Sequence, residues 1–198
     1  MLLAAICLAY IVARPLSTIA WTWFRQVVWP KYPRPFKWFG KELINELTGN
    51  SGVVGGSYQI LEKGYIETKG FFIPPIAFRL IAKTNSTNLR IGYAGNFIFN
   101  WEKNYDHLRL DDGPLGSAHD RDQSMKRTGR IPLDEWVVID LVVRPTQMEL
   151  FVNGDRRFLG KADFSKINDR LSIFQSLLAI LHVKSIRMSK RLRSTNSI

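Results

Sequence analysis

Residues 135–155 read Glu135-Trp136-Val137-Val138-Ile139-Asp140-Leu141-Val142-Val143-Arg144-Pro145-Thr146-Gln147-Met148-Glu149-Leu150-Phe151-Val152-Asn153-Gly154-Asp155, and this stretch decides the fold. Apolar and β-branched residues run from Trp136 to Val143, and Arg144-Pro145-Thr146-Gln147 breaks the run before a second begins at Met148. Asn153-Gly154 then supplies the two φ > 0 positions that a type I′ hairpin requires. The stretch therefore predicts two β-strands joined by a tight turn and closed by another.

The same grammar extends in both directions. Strands are expected at Tyr58–Leu61, Tyr65–Phe72, Ala77–Lys83, Leu89–Tyr93, Phe97–Trp101, His107–Leu110, Trp136–Val143, Met148–Val152, about Leu171–Phe174 and His182–Met188. Turn residues separate them, which is the spacing of a sandwich, and no repeat of about 20–50 residues suggests a solenoid or propeller. In the last segment Ile186 and Met188 keep period two, whereas Val183 falls out of step.

A tryptophan opening a strand, a short turn, a second strand and a terminal Asn-Gly resemble the concanavalin A-like lectin/glucanase superfamily, including its laminin G-like branch. The resemblance covers about Val53 to Lys190. It implies an all-β jelly-roll β-sandwich of two antiparallel sheets, with the first and last strands side by side. A fold of this kind does not by itself name an activity.

At 198 residues and 45% hydrophobic content, the chain is sized for one domain with a real core plus an appendage. Its single cysteine, Cys7, excludes an internal disulfide framework, and no Cys/His cluster is present to hold zinc. Twenty-eight Lys and Arg against 17 Asp and Glu give a net charge of +11, which favours anionic partners. The basic residues are densest at Arg25–Lys41 and Lys184–Arg193. With no phosphate loop, zinc finger or RNA-recognition signature, nucleic acid is the least favoured of those partners.

Leu2–Ala13 is an apolar run of 12 residues, and the apolar character continues to Phe24 past Arg14 and Pro15. As a helix, the whole segment would reach about 35 Å, enough for a bilayer core. One mid-membrane arginine costs about 2.5–3.5 kcal/mol and each Leu, Ile, Val or Phe returns about 0.3–0.6, so the nine such residues roughly cancel Arg14. Trp21, Trp23, Trp29 and Tyr32 suit an interfacial belt, with Arg25, Lys31, Arg34, Lys37 and Lys41 as a basic flank. A membrane anchor or interfacial helix is the leading reading; a cleaved signal peptide and an element packed on the sandwich stay open beside it. The expected organisation is a hydrophobic N-terminal helical segment, Pro-rich linker and short helix (Phe39–Leu47) over 1–49, the sandwich over 50–190 and a basic tail over 191–198.

The glucanases of the superfamily carry two carboxylates on one strand face about 5–5.5 Å apart. Here Glu135 and Asp140, like Glu62 and Glu67, are five positions apart and would face opposite sides, so no acid/base pair is evident. The candidate ligand surface is Asn96–Arg109. Its Asn100, Trp101, Glu102, Tyr105, His107 and Arg109 combine a flat ring for stacking on sugar C–H faces with groups that bond hydroxyls. Alternation puts Phe97, Phe99 and Trp101 on one strand face and Ile98, Asn100 and Glu102 on the other. The rival is that Trp101 closes the core and the rest decorate a hairpin. Asp111-Asp112-Gly113 and Asp120-Arg121-Asp122 bracket a loop where structural calcium is conceivable, but the spacing is not that of an EF-hand and the neighbouring His119, Arg121, Lys126 and Arg127 oppose a cation. No cofactor is expected.

The reading is thus a non-catalytic, lectin-like carbohydrate-binding domain at a membrane, on a side the sequence does not fix. A glucanase-type hydrolase or lyase with an unrecognised acid/base pair is the alternative, and a structural protein-interaction domain is the third.

Overall fold

The computed structural model describes residues 40–49, 51–61, 64–111, 113–115, 127–175 and 180–190. The N-terminal helical segment and the 191–198 tail lie outside the described residues. Among the described residues, fourteen strands form two antiparallel sheets: β1 Lys41–Glu42, β2 Leu47–Gly49, β3 Gly52–Val54, β4 Ser57–Ile60, β5 Tyr65–Thr68, β6 Ile76–Thr84, β7 Leu89–Gly92, β8 Asn96–Phe99, β9 Arg109–Asp111, β10 Val137–Arg144, β11 Gln147–Val152, β12 Asp155–Lys161, β13 Ser172–Gln175 and β14 Leu181–Ser189. One sheet runs β12-β11-β10-β6-β14-β4-β3 with β1 also on β14, and the other runs β2-β5-β13-β7-β8-β9.

The deciding stretch folds as read. β10 and β11 pair from Ile139↔Val152 to Arg144↔Gln147 around the two-residue turn Pro145-Thr146. Asn153 and Gly154 take φ +52° and +90° at the second turn. The strand that follows, β12, has no apolar alternation to announce it, since Phe158 alone among its residues is buried. It is an edge strand, and charges such as Arg156, Arg157 and Lys161 are what an edge tolerates.

Period two sorts each long strand. On β6, Ile76, Phe78, Leu80 and Ala82 enter the core; on β10, Val137, Ile139, Leu141 and Val143 do the same. The outward positions hold the cross-strand pair Asp140↔Arg79, whose guanidinium donates to both carboxylate oxygens at 2.7 and 2.6 Å. From the other sheet come Ile66, Leu89, Ile91, Phe97, Phe99, Leu110 and Ile173. Phe78 joins the sheets by edge contacts to Phe72 (5.3 Å) and Tyr93 (5.1 Å), each pair worth about 0.5–1.5 kcal/mol beyond its buried area.

The irregular Val183 has a physical cause. A bulge lies between Val183 and Ser185, so Val183 faces Ala82 while Ser185 faces Ile81. The extra residue, Lys184, is exposed, and the slip returns Ile186 to the core beside Val183, at 1% and 0% exposure.

The described part of the short helix expected over Phe39–Leu47, residues 40–47, is not α-helical. They form β1, a single 3-10 turn at Ile44–Glu46 and the start of β2. The Glu42 carboxylate accepts hydrogen bonds from the backbone N–H of Ile44 (3.3 Å) and Ile186 (2.9 Å) and from the Ser185 hydroxyl (2.6 Å). Leu43 is fully buried and donates its N–H to Ile186 O at 2.7 Å. Tertiary anchoring to β14 thus overrides a weak helical pattern. Among the described residues the sheets begin at Lys41, on the N-terminal side of residue 50. β14 also pairs with β4, Leu181↔Ile60, so early and late strands share one sheet as the resemblance implied.

Candidate functional site

The six-stranded sheet presents an ordered outer face. Register places Glu67, Ser172, Gly92, Asn96 and Asp111 side by side across β5, β13, β7, β8 and β9. Four strand spacings make this row about 19 Å long. A parallel row carries Tyr65, Phe174, Arg90, Ile98 and Arg109.

At the middle of the first row lies a pocket of about 340 Å³, within the usual range for small-ligand sites. Gly92, Asn96 and Ser172 line it from the sheet, and Gly113, Pro114 and Asp169 from the loops. Its depth depends on a missing side chain, because a Cβ on Gly92 would sit 2.3 Å from Ser172 Oγ and 2.8 Å from Asn96 Oδ1. The adjoining β7–β8 turn puts Ala94 at φ +54° and Gly95 at φ +136°. Asp169 Oδ2 holds the turn by accepting the Ala94 N–H at 3.1 Å. Gly113, at φ +85°, packs so closely that a Cβ there would meet Ala94 O at 2.1 Å.

Asp169 is itself fixed through Phe72. The two backbones exchange hydrogen bonds, Phe72 N to Asp169 O at 2.8 Å and Asp169 N to Phe72 O at 3.1 Å. The Tyr93 hydroxyl donates to Phe72 O at 2.9 Å. Burial first, and the charge of Asp169 second, push the Tyr93 phenol well above its ordinary value, so it remains a donor.

An arginine covers an aromatic ring at each end of the row. On one side Arg170 lies 4.6 Å over Phe71 and donates to Glu67. On the other Arg109 lies 5.0 Å over Trp101 and donates to Asp111 Oδ1 at 2.7 Å. Phe71 is 57% exposed, so its ring is accessible despite the guanidinium. The carboxylates hold the guanidiniums in position over the rings.

The expected surface residues separate into three groups. Asn100 is fully buried at φ +48°; its Oδ1 accepts the Ile131 N–H at 2.9 Å and its Nδ2 donates to Ser86 O at 3.4 Å, so its amide is used within the fold. Trp101 and Arg109 come together as the stack just described. Glu102 and Tyr105 are exposed on a turn closed by Asn104 N to Trp101 O at 2.9 Å, and His107 is half-buried behind it. The expected sharing of a face by Phe97, Phe99 and Trp101 does not occur. β8 ends at Phe99, Asn100 turns the chain, and Trp101 meets the outward Arg109 while both phenylalanines point into the core.

Sequence reasoning missed Gly92, Asp169, Ser172, Phe71, Arg170 and Glu67 as site residues. The turn-like Tyr93-Ala94-Gly95 and the paired aromatics Phe71-Phe72 before Pro74-Pro75 were the available signals. Among the described residues no group of three His, Cys, Asp or Glu could hold a metal ion. Of the calcium loop, Asp111 is ion-paired with Arg109, and Asp112 and residues 116–126 lie outside the described residues.

These features define a concanavalin A-like jelly roll with a pocketed outer face on its smaller sheet. Solved structures of that fold match it at low identity. The VIP36 exoplasmic/lumenal domain in a Ca²⁺/Man-bound form gives a TM-score of 0.53 at 6% identity, covering 77% of this chain and 85% of that one. β-Agarase A from Zobellia galactanivorans gives 0.50 at 11%, covering 70% and 73%. A sialidase gives 0.52 at 10%, covering 73% of this chain but 17% of the sialidase. In sequence, no family model and no curated protein matches.

Proposed function

We propose that this chain is a non-catalytic carbohydrate-binding domain held at a membrane, with a sugar ring seated in the pocket over Gly92. One observation carries the reading: a glycine-floored pocket walled by Asn96, Ser172 and Asp169 stands between the exposed ring of Phe71 and the half-buried ring of Trp101, each with a pinned arginine over it. Amide, hydroxyl and carboxylate groups suit sugar hydroxyls, and the rings suit the C–H faces of pyranoses. The mannose-bound VIP36 domain and β-agarase support a saccharide ligand by sharing the fold. Trp101 and Arg109 serve as one flank of the site, with Glu102 and Tyr105 on the turn beyond. The apolar run Leu2–Phe24 is the proposed membrane element, and among the described residues no helix is long and apolar enough to cross a bilayer.

Affinity electrophoresis through gels holding agarose, laminarin, xylan or mannan tests the binding half. Retardation in at least one gel, lost on Phe71→Ala or Trp101→Ala in a protein that still melts cooperatively, is the expected result. No retardation in any gel overturns carbohydrate binding, and release of reducing ends from any of the polymers overturns the non-catalytic assignment. Carbonate and high-salt washes of membranes from cells expressing the full chain test the anchor; recovery in the soluble fraction refutes it.

A further inference from the structure

The outer face of the larger sheet, on the far side of the sandwich from the Gly92 pocket, carries an aromatic ring of its own. Pairing of Val137 with Ala82 sets Trp136 beside Lys83; Lys83 pairs with His182, and His182 with Gln59. Trp136, Lys83, His182 and Gln59 thus form a row across the start of β10, β6, β14 and β4. Lys184 joins them through the bulge in β14. With Ile186 in the core, a regular strand would turn Lys184 inward, whereas the inserted residue leaves it exposed.

Both ammonium groups converge on the ring. Lys83 Nζ lies 5.4 Å and Lys184 Nζ 5.8 Å from the Trp136 centroid, and His182 meets the ring edge-on at 6.5 Å. Trp136 is still 43% exposed. Arg109 and Arg170, which cover rings on the smaller sheet, are held by carboxylates; among the described residues neither Lys83 nor Lys184 has an ion-pair partner. His182 feels the resulting field: burial first and the Lys83 charge second push its pKa below the ordinary 6.5, against the opposing charge of Asp134. Two like charges gathered at one open ring, with no counter-charge paired to them, make a seat for an anion.

The seat is the size of a small ligand, since β10 to β14 covers two strand spacings, about 10 Å. Trp136 offers a flat face for C–H stacking and Gln59 an amide for hydroxyl groups. Asp134 and Glu135 are exposed next to Trp136 and would be pressed against an anionic bilayer, whereas a discrete sugar leaves them in water.

We propose that Trp136, Lys83 and Lys184 form a second saccharide site, selective for acidic sugars, in which the pyranose stacks on the indole and its carboxylate or sulfate lies at the two ammoniums. The choice of a sugar as ligand rests on the binding function proposed above, but the site is separate from the pocket.

The test measures binding of the full chain, in neutral detergent, to immobilised polygalacturonate and its methyl ester, and to dextran sulfate and dextran. Tighter binding to the acidic member of at least one pair is expected. Trp136→Ala leaves the net charge unchanged and should weaken that binding roughly tenfold. Lys83→Gln/Lys184→Gln should weaken it about 4- to 25-fold, at about two- to fivefold for each exposed ion pair lost. Arg156→Gln/Arg157→Gln removes the same charge from β12, at the edge of the same sheet, and should stay within about twofold of the parent. All these side chains are exposed or half-buried, and a melt confirms that each variant folds. The proposal is overturned if neither acidic polymer is preferred to its neutral partner, if Trp136→Ala keeps the preference, or if the β12 variant loses as much as the lysine variant. Vesicles containing phosphatidylserine are the counter-probe: if their binding, and not that of the acidic polymers, falls on Trp136→Ala, the ligand is lipid and the saccharide assignment is overturned. An absent acidic preference beside intact retardation in the neutral gels would remove this site and leave the Gly92 pocket standing.

Discussion

Replacing Gly92 with valine is the most direct challenge to the site. Even the first added carbon would sit 2.3 Å from Ser172 Oγ and 2.8 Å from Asn96 Oδ1, with Phe174 Cε1 at 3.6 Å. The two closest atoms are tips of short side chains, so the fold can yield by turning them away. Ser172 would then give up only a long hydrogen bond to Gly92 O, at 3.4 Å. Overpacking of about 1–3 kcal/mol is partly offset by the gain of about 0.5–1 kcal/mol from removing a strand glycine. The net cost is about 0–2.5 kcal/mol, and the protein stays folded.

Binding responds differently, because the displaced atoms are two of the pocket's polar walls. Losing two ligand hydrogen bonds of about 0.5–1.5 kcal/mol each weakens affinity by about 5- to 150-fold. Titration calorimetry with the polysaccharide that retards the parent, beside a thermal melt, separates the two effects. A Gly92→Val protein that melts cooperatively and binds within twofold of the parent would refute the pocket as the sugar seat.

Four further outcomes follow from the same geometry. Arg79→Met leaves Asp140 buried at 2% exposure without its bidentate partner and should destabilise by about 3–5 kcal/mol in urea titration, most of it recovered by adding Asp140→Met. Tyr93→Phe removes the hydroxyl from Phe72 O, which still accepts the Asp169 N–H, so the loss should be about 1 kcal/mol by the same measurement. Burial is the largest single influence on Glu42 and raises its pKa, yet hydrogen bonds from Ser185, Arg187, Ile186 and Ile44 together hold it below the ordinary 4.5. A depressed carboxylate stabilises above that value and loses its contribution as pH falls through the folded pKa, so Glu42→Gln should flatten the acid limb of a stability–pH curve below about pH 4.5. Gly113→Ala combines a left-handed φ with a backbone clash at Ala94 O, and should weaken sugar binding more than tenfold by disturbing the turn that Asp169 holds.

Period two made the sandwich legible, because a strand with one face buried must alternate or lose its core contacts. The long alternating strands β6, β10, β11 and β14 were readable for that reason, β10 and β11 together with the turn at Pro145-Thr146 between them. The missed strands have no such alternation. β1, β2 and β3 are two or three residues long, and β12 buries little besides Phe158. Val183 kept the core assignment but broke the period, and only pairing with β6 shows that Lys184 is the inserted residue. A bulge is a relation between two strands, so one strand read alone records it only as an irregularity.

The site was less legible for a deeper reason. Trp101 and Arg109 could be found together because they lie eight residues apart on one hairpin, and ligand chemistry is easy to suspect in a compact stretch. Asp169 gives no comparable signal: it stands between Asn168 and Arg170 in a polar loop and belongs to no motif. Its role arises when Phe72, nearly a hundred residues earlier, fixes its backbone and Ala94 donates to its carboxylate. Gly92 is harder still, since what matters there is the side chain it lacks between Ser172 and Asn96. Asn100 shows the converse, because an amide beside a tryptophan looks like a sugar contact until Ile131 and Ser86 are seen to occupy it. Register across β13, β7 and β8 creates this pocket, so substitutions that shift the pairing of β7 with β13 should abolish binding while leaving every wall residue in the sequence.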